Sequence, residues 1–167
     1  PTPFIPKTCL SFLLTMIVVA VLAACTQVPT AKPLDENAAK AELMKTMDSI
    51  DLAFKNKNLD AFMAFFDEKC MFYGTDPAEK WDNKTFQAEM QKMMVDTLIS
   101  LNPANKNTEI FILDDGTAMT VEQFNPYWSK KVLVRNTSHF MRKGNKWICD
   151  FASYGLIPLN KDIEKIN

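Results

Sequence analysis

The sequence predicts an α+β domain, with helices first and a meander of strands after them. Three observations carry that expectation. Apolar residues recur at helical spacing between Ala38 and Leu101. From Glu109 to Tyr154 the chain instead falls into short runs separated by turn residues. Asn102-Pro103 stands between the two regimes and stops the last long helix. Consecutive antiparallel strands with helices to one side make an α+β layer.

The first helix is expected from Ala38 to Lys55, where Leu43, Met47, Ile50 and Phe54 form one face and Asp35 or Asn37 can cap the start. Asn56-Lys57-Asn58 breaks the pattern. Asn58 then caps a second short helix through Leu59, Phe62, Met63 and Phe66, close enough to pack as a hairpin. Cys70 to Tyr73 reads as a strand, Gly74 permits a turn, and Pro77 forbids further ladder at that point. Asn83 is placed to cap a long helix from Lys84 to about Leu101, with Phe86, Met90, Met93, Met94, Leu98 and Leu101 as core filling. Strands follow at Glu109–Leu113 and Thr117–Phe124, joined by the hairpin signal Asp114-Asp115-Gly116. A loop from Asn125 to Lys130 carries Pro126, Tyr127 and Trp128. Strands Lys131–Arg142 and Lys146–Tyr154 then close the meander. A long strand pair bends as its sheet twists, and helices on the concave face can leave a pocket there.

Composition narrows the function classes. The 167 residues suffice for one domain plus a tail or targeting segment. A net charge of −1 gives no basis for nucleic acid as a partner, which needs a clustered excess of Lys and Arg. Ten Met and twelve Phe against four Gly point to a plastic, aromatic interior. Residues 1–24 do not belong to the fold. Lys7 precedes an apolar run from Cys9 to Ala24, about 16 residues, short of the roughly 20 needed to cross a bilayer. Leu22-Ala23-Ala24-Cys25 resembles the lipobox of bacterial lipoproteins. That resemblance implies cleavage of a signal peptide before Cys25, a lipid on its thiol, and a protein exported to the bacterial cell envelope and anchored there to a membrane. Residues 25–37, with Pro29 and Pro33, read as an extended linker, 38–158 as the domain, and 159–167 as a tail.

The order of elements, the segment Phe72-Tyr73-Gly74-Thr75-Asp76-Pro77-Ala78-Glu79-Lys80-Trp81, and the later Arg135-Asn136-Thr137 with Lys143-Gly144-Asn145-Lys146-Trp147 resemble the SnoaL-like branch of the nuclear transport factor 2-like superfamily. The resemblance covers about Ala38 to Ser153. It implies a cone: a strongly curved antiparallel or mixed sheet wrapped on three helices, with a central cavity open at one end. Members include isomerases, cyclases, dehydratases and non-catalytic binding modules, often dimeric. Many of them carry a His on the last strand two residues before a Ser. With Ser153 as that Ser, Phe151 stands at the His position, which implies one polar pocket group fewer.

Two constellations could carry chemistry. His139 is the single His, in the longest strand. A two-residue turn at Gly144-Asn145 sets it opposite Asp150 as an oriented general base, with Arg135 and Thr137 opposite Tyr154 and Ala152. A three-residue turn sets His139 opposite Cys149 and removes the dyad. Asp76 and Glu79 form the other constellation, paired carboxylates able to divide acid and base roles. Tyr73, Trp81 and Trp128 are candidates to line an apolar cavity, with Glu79 and Arg135 at its polar rim, around a small-molecule ligand. One His and two separated Cys in the domain offer no metal-ligand set, and no Gly-rich phosphate loop is present, so no cofactor is expected. In the fold the chain resembles, the strands of Cys70 and Cys149 are neighbours, and a disulfide there would close a loop of about 80 residues. Three functions compete: a cavity that binds a small, largely apolar molecule, an acid–base enzyme of the same fold, and a homodimeric interaction module using the outer sheet face.

Overall fold

A computed structural model describes residues 35–95 and 104–165 of the chain. The expected signal peptide, Cys25 and most of the expected linker lie outside the described residues, as do Leu98, Leu101 and the Asn102-Pro103 stop. The described elements belong to one compact unit, 35–167. They are α1 (Glu36–Lys55), α2 (Leu59–Met63), β1 (Phe66–Tyr73), β2 (Lys80–Asp82), α3 (Asn83–Val95), β3 (Ala104–Ile112), β4 (Ala118–Asn125), β5 (Leu133–Lys143), β6 (Lys146–Ile157) and a closing 3-10 turn (Asn160–Lys165). The fold is α+β. Its six strands run in the order β2-β1-β6-β5-β4-β3, all antiparallel except the parallel pair β1 and β6.

The helix starts follow capping chemistry. Asp35 Oδ1 accepts from the Ala38 amide at 3.1 Å and begins α1, and Asn58 Oδ1 accepts from the Ala61 amide at 3.1 Å and begins α2. The third cap corrects the sequence reading. Asp82 Oδ1, not Asn83, accepts from the Thr85 amide at 2.8 Å, while Asn83 Nδ2 donates to the Asp67 carbonyl at 2.7 Å and ties α3 to β1.

Two further corrections concern the first strands. β1 begins at Phe66, so the short helix stops at Met63 and Phe66 is a strand residue. The polar run Asp67-Glu68-Lys69 hid that start. Asp67 is nevertheless buried, its carboxylate held below its usual range first by the Lys143 ammonium and then by the Lys69 amide. Lys80–Asp82, expected as loop, forms β2 along the edge of β1.

The core lies between α1, α3 and the concave sheet face. Leu43, Cys70 and Phe72 are fully enclosed. Phe72 and Phe86 stack at 3.6 Å between ring centroids, 8° from parallel, and Phe62 and Phe66 extend the aromatic cluster. Cys70 and Cys149 are both buried and both free, so of the two readings, a disulfide or a pair of buried thiols, the structure has the thiols. Burial pushes the Cys149 thiol up, and the hydrogen bond with Cys70 pushes it further. A thiol kept protonated and away from solvent is a poor nucleophile for bridge formation.

Phe72→Ala should cost about 3–5 kcal/mol in urea unfolding, because the cavity left against Phe86 cannot collapse fully. A loss under 1 kcal/mol, on a scale where ordinary substitutions already reach about that much, would show that the stack is not a core contact.

Candidate functional site

Alternation along β5 decides which side chains can reach the interior. Val134, Asn136, Ser138 and Phe140 are buried and face the helices, so Arg135, Thr137 and His139 face outward. The inward set, together with its neighbours on β4 and β6, encloses a cavity of about 350 Å³. Its helical wall is apolar: Met47, Ile50 and Phe54 from α1, Phe62 from α2, and Phe86, Met90 and Met93 from α3. Phe66 of β1 and Trp81 of β2 continue that wall.

The sheet floor mixes Phe124, Val134, Phe140 and Cys149 with a set of polar side chains, and strand register explains the layout of the polar set. Thr108, Glu122, Asn136 and Tyr154 are successive partners across β3, β4, β5 and β6, and Thr120 lies opposite Ser138 in the next row. Ser138 Oγ donates to Asn136 Oδ1 at 2.9 Å, which in turn donates through Nδ2 to the Ser153 carbonyl at 3.4 Å. Thr120 is fully buried and its hydroxyl finds no hydrogen-bond partner among the described residues.

At one end Lys106 bridges Asp51 of α1 and Glu122 of β4, the latter at 2.6 Å. Thr108 Oγ1 also donates to Glu122 Oε1, at 3.3 Å. Lys106 itself sits inside a β-bulge of β3, between Ala104 and Asn107, with Asn105 at φ 54. Bulges of this kind re-aim side chains and occur often beside sites. Burial raises the Glu122 carboxyl above the usual range and outweighs the attraction of Lys106. The charges of Glu122 and Asp51 hold the Lys106 ammonium above its ordinary value despite burial. Burial, then the Glu122 charge, pushes the Tyr154 phenol up, so it stays a neutral donor.

The sequence-based candidates divide between this cavity and elsewhere. Glu79, Trp81 and Trp128 line it, and Trp128, 52% exposed, sits where it meets solvent. Tyr73, Asp76 and Arg135 are not part of the lining. Tyr73 packs its ring against Phe151 at 5.8 Å and under Lys80. Asp76 Oδ1 accepts from the Ala78 amide at 2.8 Å and shapes the turn. Glu79 Oε2 accepts from the Asp76 amide at 3.0 Å, so the carboxylate folds back over its own loop. A Cβ at Gly74 would stand 2.7 Å from Glu79 Cβ, so only glycine admits that fold.

His139 and Asp150 do meet, Nδ1 to Oδ1 at 2.6 Å, but on the outer face of the sheet. The turn has the two-residue length, with Lys143 opposite Lys146, yet a bulge follows. Phe140 pairs with Cys149 and His139 with Phe151, leaving Asp150 as the extra residue. Arg135 and Thr137 therefore stand opposite Gly155 and Ser153 rather than Tyr154 and Ala152. Phe151 is on the same outer face, so its replacement of a His removes nothing from the cavity. No group of three or more His, Cys, Asp or Glu among the described residues could hold a metal ion.

Glu122 gives a pH dependence with a definite sign. A carboxyl whose pKa is higher folded than unfolded favours folding in its protonated form. Its contribution is present below about 4.5 and fades as pH rises through the elevated range. Glu122→Gln should therefore flatten the decline in melting temperature between pH 4.5 and neutrality. Parallel wild-type and variant pH profiles would contradict the assignment.

Known folds agree with this geometry. A crystal structure from Pectobacterium atrosepticum, a protein of unknown function from the DUF3225 family, superposes with a TM-score of 0.61 at 16% identity, covering 74% of this chain and 94% of that one. An NTF-2 like protein of unknown function from Silicibacter pomeroyi gives 0.58 at 13%, covering 74% and 100%. A cystatin-like fold protein from Burkholderia xenovorans gives 0.58 at 14%, covering 75% and 96%. At these identities the likeness shows the cone-shaped fold alone. No curated protein matches the chain. The SnoaL-like domain family matches residues 43–149, from the first helix to the last strand of the cavity, and the chain belongs to that family.

Proposed function

We propose that this SnoaL-like domain binds a small, largely apolar molecule in its cavity, and that a lipid on Cys25 tethers it in the bacterial cell envelope. The observation that carries the first part is the division of the cavity: about 350 Å³ with a Phe- and Met-rich helical wall facing a partly polar floor. Apolar pockets with a few convergent polar groups suit ligands that are mostly hydrocarbon and carry one oriented polar group. The candidate catalytic pair supports binding over chemistry, because His139 and Asp150 share no space with the cavity. Exposed Phe111 and Phe151 on the outer sheet face leave room in the proposal for a homodimer there.

The acid–base alternative rests on one observation. Glu122 has a raised carboxyl inside an enclosed site, beside the neutral phenol of Tyr154. Such perturbed groups mark candidate acids and bases. Loss of turnover in Glu122→Gln with ligand uptake intact would favour this reading.

Native mass spectrometry of the purified chain is expected to show a retained small molecule, and a fluorescent apolar probe should enter once it is removed. Ser138→Phe, which fills the floor, should weaken probe uptake roughly tenfold or more. A chain with no retained molecule and no probe uptake would sink the binding reading.

The anchor is tested separately. Wild-type protein should fractionate with membranes and carry lipid on an N-terminal Cys25, and Cys25→Ala should lose the lipid. Mature wild-type protein without lipid at Cys25 would end that part of the proposal.

A further inference from the structure

We infer that the cavity selects a lipophilic amine, its ammonium seated between Glu122 and Thr120 and its hydrocarbon part against the helical wall. The inference rests on the binding reading above and names the class of molecule that the same site takes.

Charge is the first ground. Among the described residues lining the cavity, Asp51, Glu79 and Glu122 are acidic and Lys106 is the one cation. Even with Glu122 protonated, two carboxylates face one ammonium. A carboxylate ligand would enter against that excess, whereas a cation would offset it. Lys106 already shows that an ammonium fits beside Glu122, and both the Lys106 and the Thr108 contacts fall on Oε1 of that carboxyl.

Thr120 is the second and independent ground. Its hydroxyl is wholly buried, lines the cavity and has no hydrogen-bond partner among the described residues. A buried polar atom without a partner carries a desolvation cost that a ligand's N–H would relieve. Thr120 stands two residues from Glu122 on the same face of β4, so one ammonium can reach both. The aromatic faces are the third ground. Trp81, Tyr154 and Trp128 border the same space, and such rings attract ammonium groups that have shed water.

Three probes of equal chain length separate the alternatives: octylammonium, octanol and octanoate, titrated calorimetrically into the full chain at neutral pH and low salt. Octylammonium should bind roughly tenfold tighter than octanol, as a charge-assisted bond adds to shared burial, and octanoate should be weakest. Glu122→Gln should bring octylammonium down to the level of octanol. Should that variant fail to fold, Asp51→Asn at the exposed end of the cluster should narrow the gap without touching the core. Octanoate binding as tightly as octylammonium would overturn the inference, as would a preference untouched by either variant. Octanol binding with no gain for octylammonium overturns the charge selection and leaves the binding reading standing. Failure of all three probes overturns both.

Discussion

A strand shows only every second residue to one side, and on β5 that constraint divides the chemistry of the whole molecule. Asn136 and Ser138 turn toward the helices and become the floor of a cavity, while Arg135 and His139 turn away from it. The neighbouring strands must follow, because each floor residue is fixed by register to a partner: Glu122 to Asn136, Asn136 to Tyr154, Thr120 to Ser138. A slip of one residue would exchange the two faces, bringing a His and an Arg inside and expelling the polar floor. The two-residue hairpin at Gly144, with its φ of 62, and the bulge that inserts Asp150 together set that register.

The helical half answers the floor with hydrocarbon. Met and Phe at helical spacing on α1 and α3 supply a wall that adapts to a bound shape, since Met side chains are unbranched and polarizable. Phe86, stacked on Phe72, belongs to the cavity lining. Arg142 joins the hairpin to α1, with its guanidinium 4.3 Å over Trp147 and a 2.6 Å bond to Glu42. The result is a space that is dry on one side and partly polar on the other, so a bound molecule has one favourable orientation. Lys106 contributes to that asymmetry by holding Asp51 and Glu122 at the same end.

Periodicity made the scaffold legible. Leu43 and Met47 are core residues where the spacing put them, and the strand meander and its hairpin turns follow the Gly and Asp signals. The helices differ from expectation at their ends, where one capping hydrogen bond decides, as Asp82 does for α3. The cavity was harder to read. Thr120, Glu122, Asn136 and Ser138 are common polar residues in strands, and alternation alone does not say which face is inside until the sheet curves around the helices. Lys106 and Asp51 lie 55 positions apart, a separation no local pattern spans. Of the distinctive segment, Glu79 and Trp81 line the cavity, while Tyr73 and Asp76 lie outside its lining.

The bulge at Asp150 accompanies a residue pair that forms on the face away from the cavity. Regular pairing from the two-residue turn sets His139 against Asp150 on one face. The chain instead inserts Asp150 as an extra residue, and the pair persists because a side chain can reach across one irregular step. The contact orients the imidazole, which is half of what a general base needs. The other half is an enclosed space for the reacting atoms, and the concave face holds that space. That face also carries the buried, partly unsatisfied polar groups of the floor. Thr120 illustrates the point: replacing it with Val would preserve its volume and remove an unpaired hydroxyl, so its presence is hard to explain by stability alone. A buried hydroxyl without a partner among the described residues carries a desolvation cost in the empty protein.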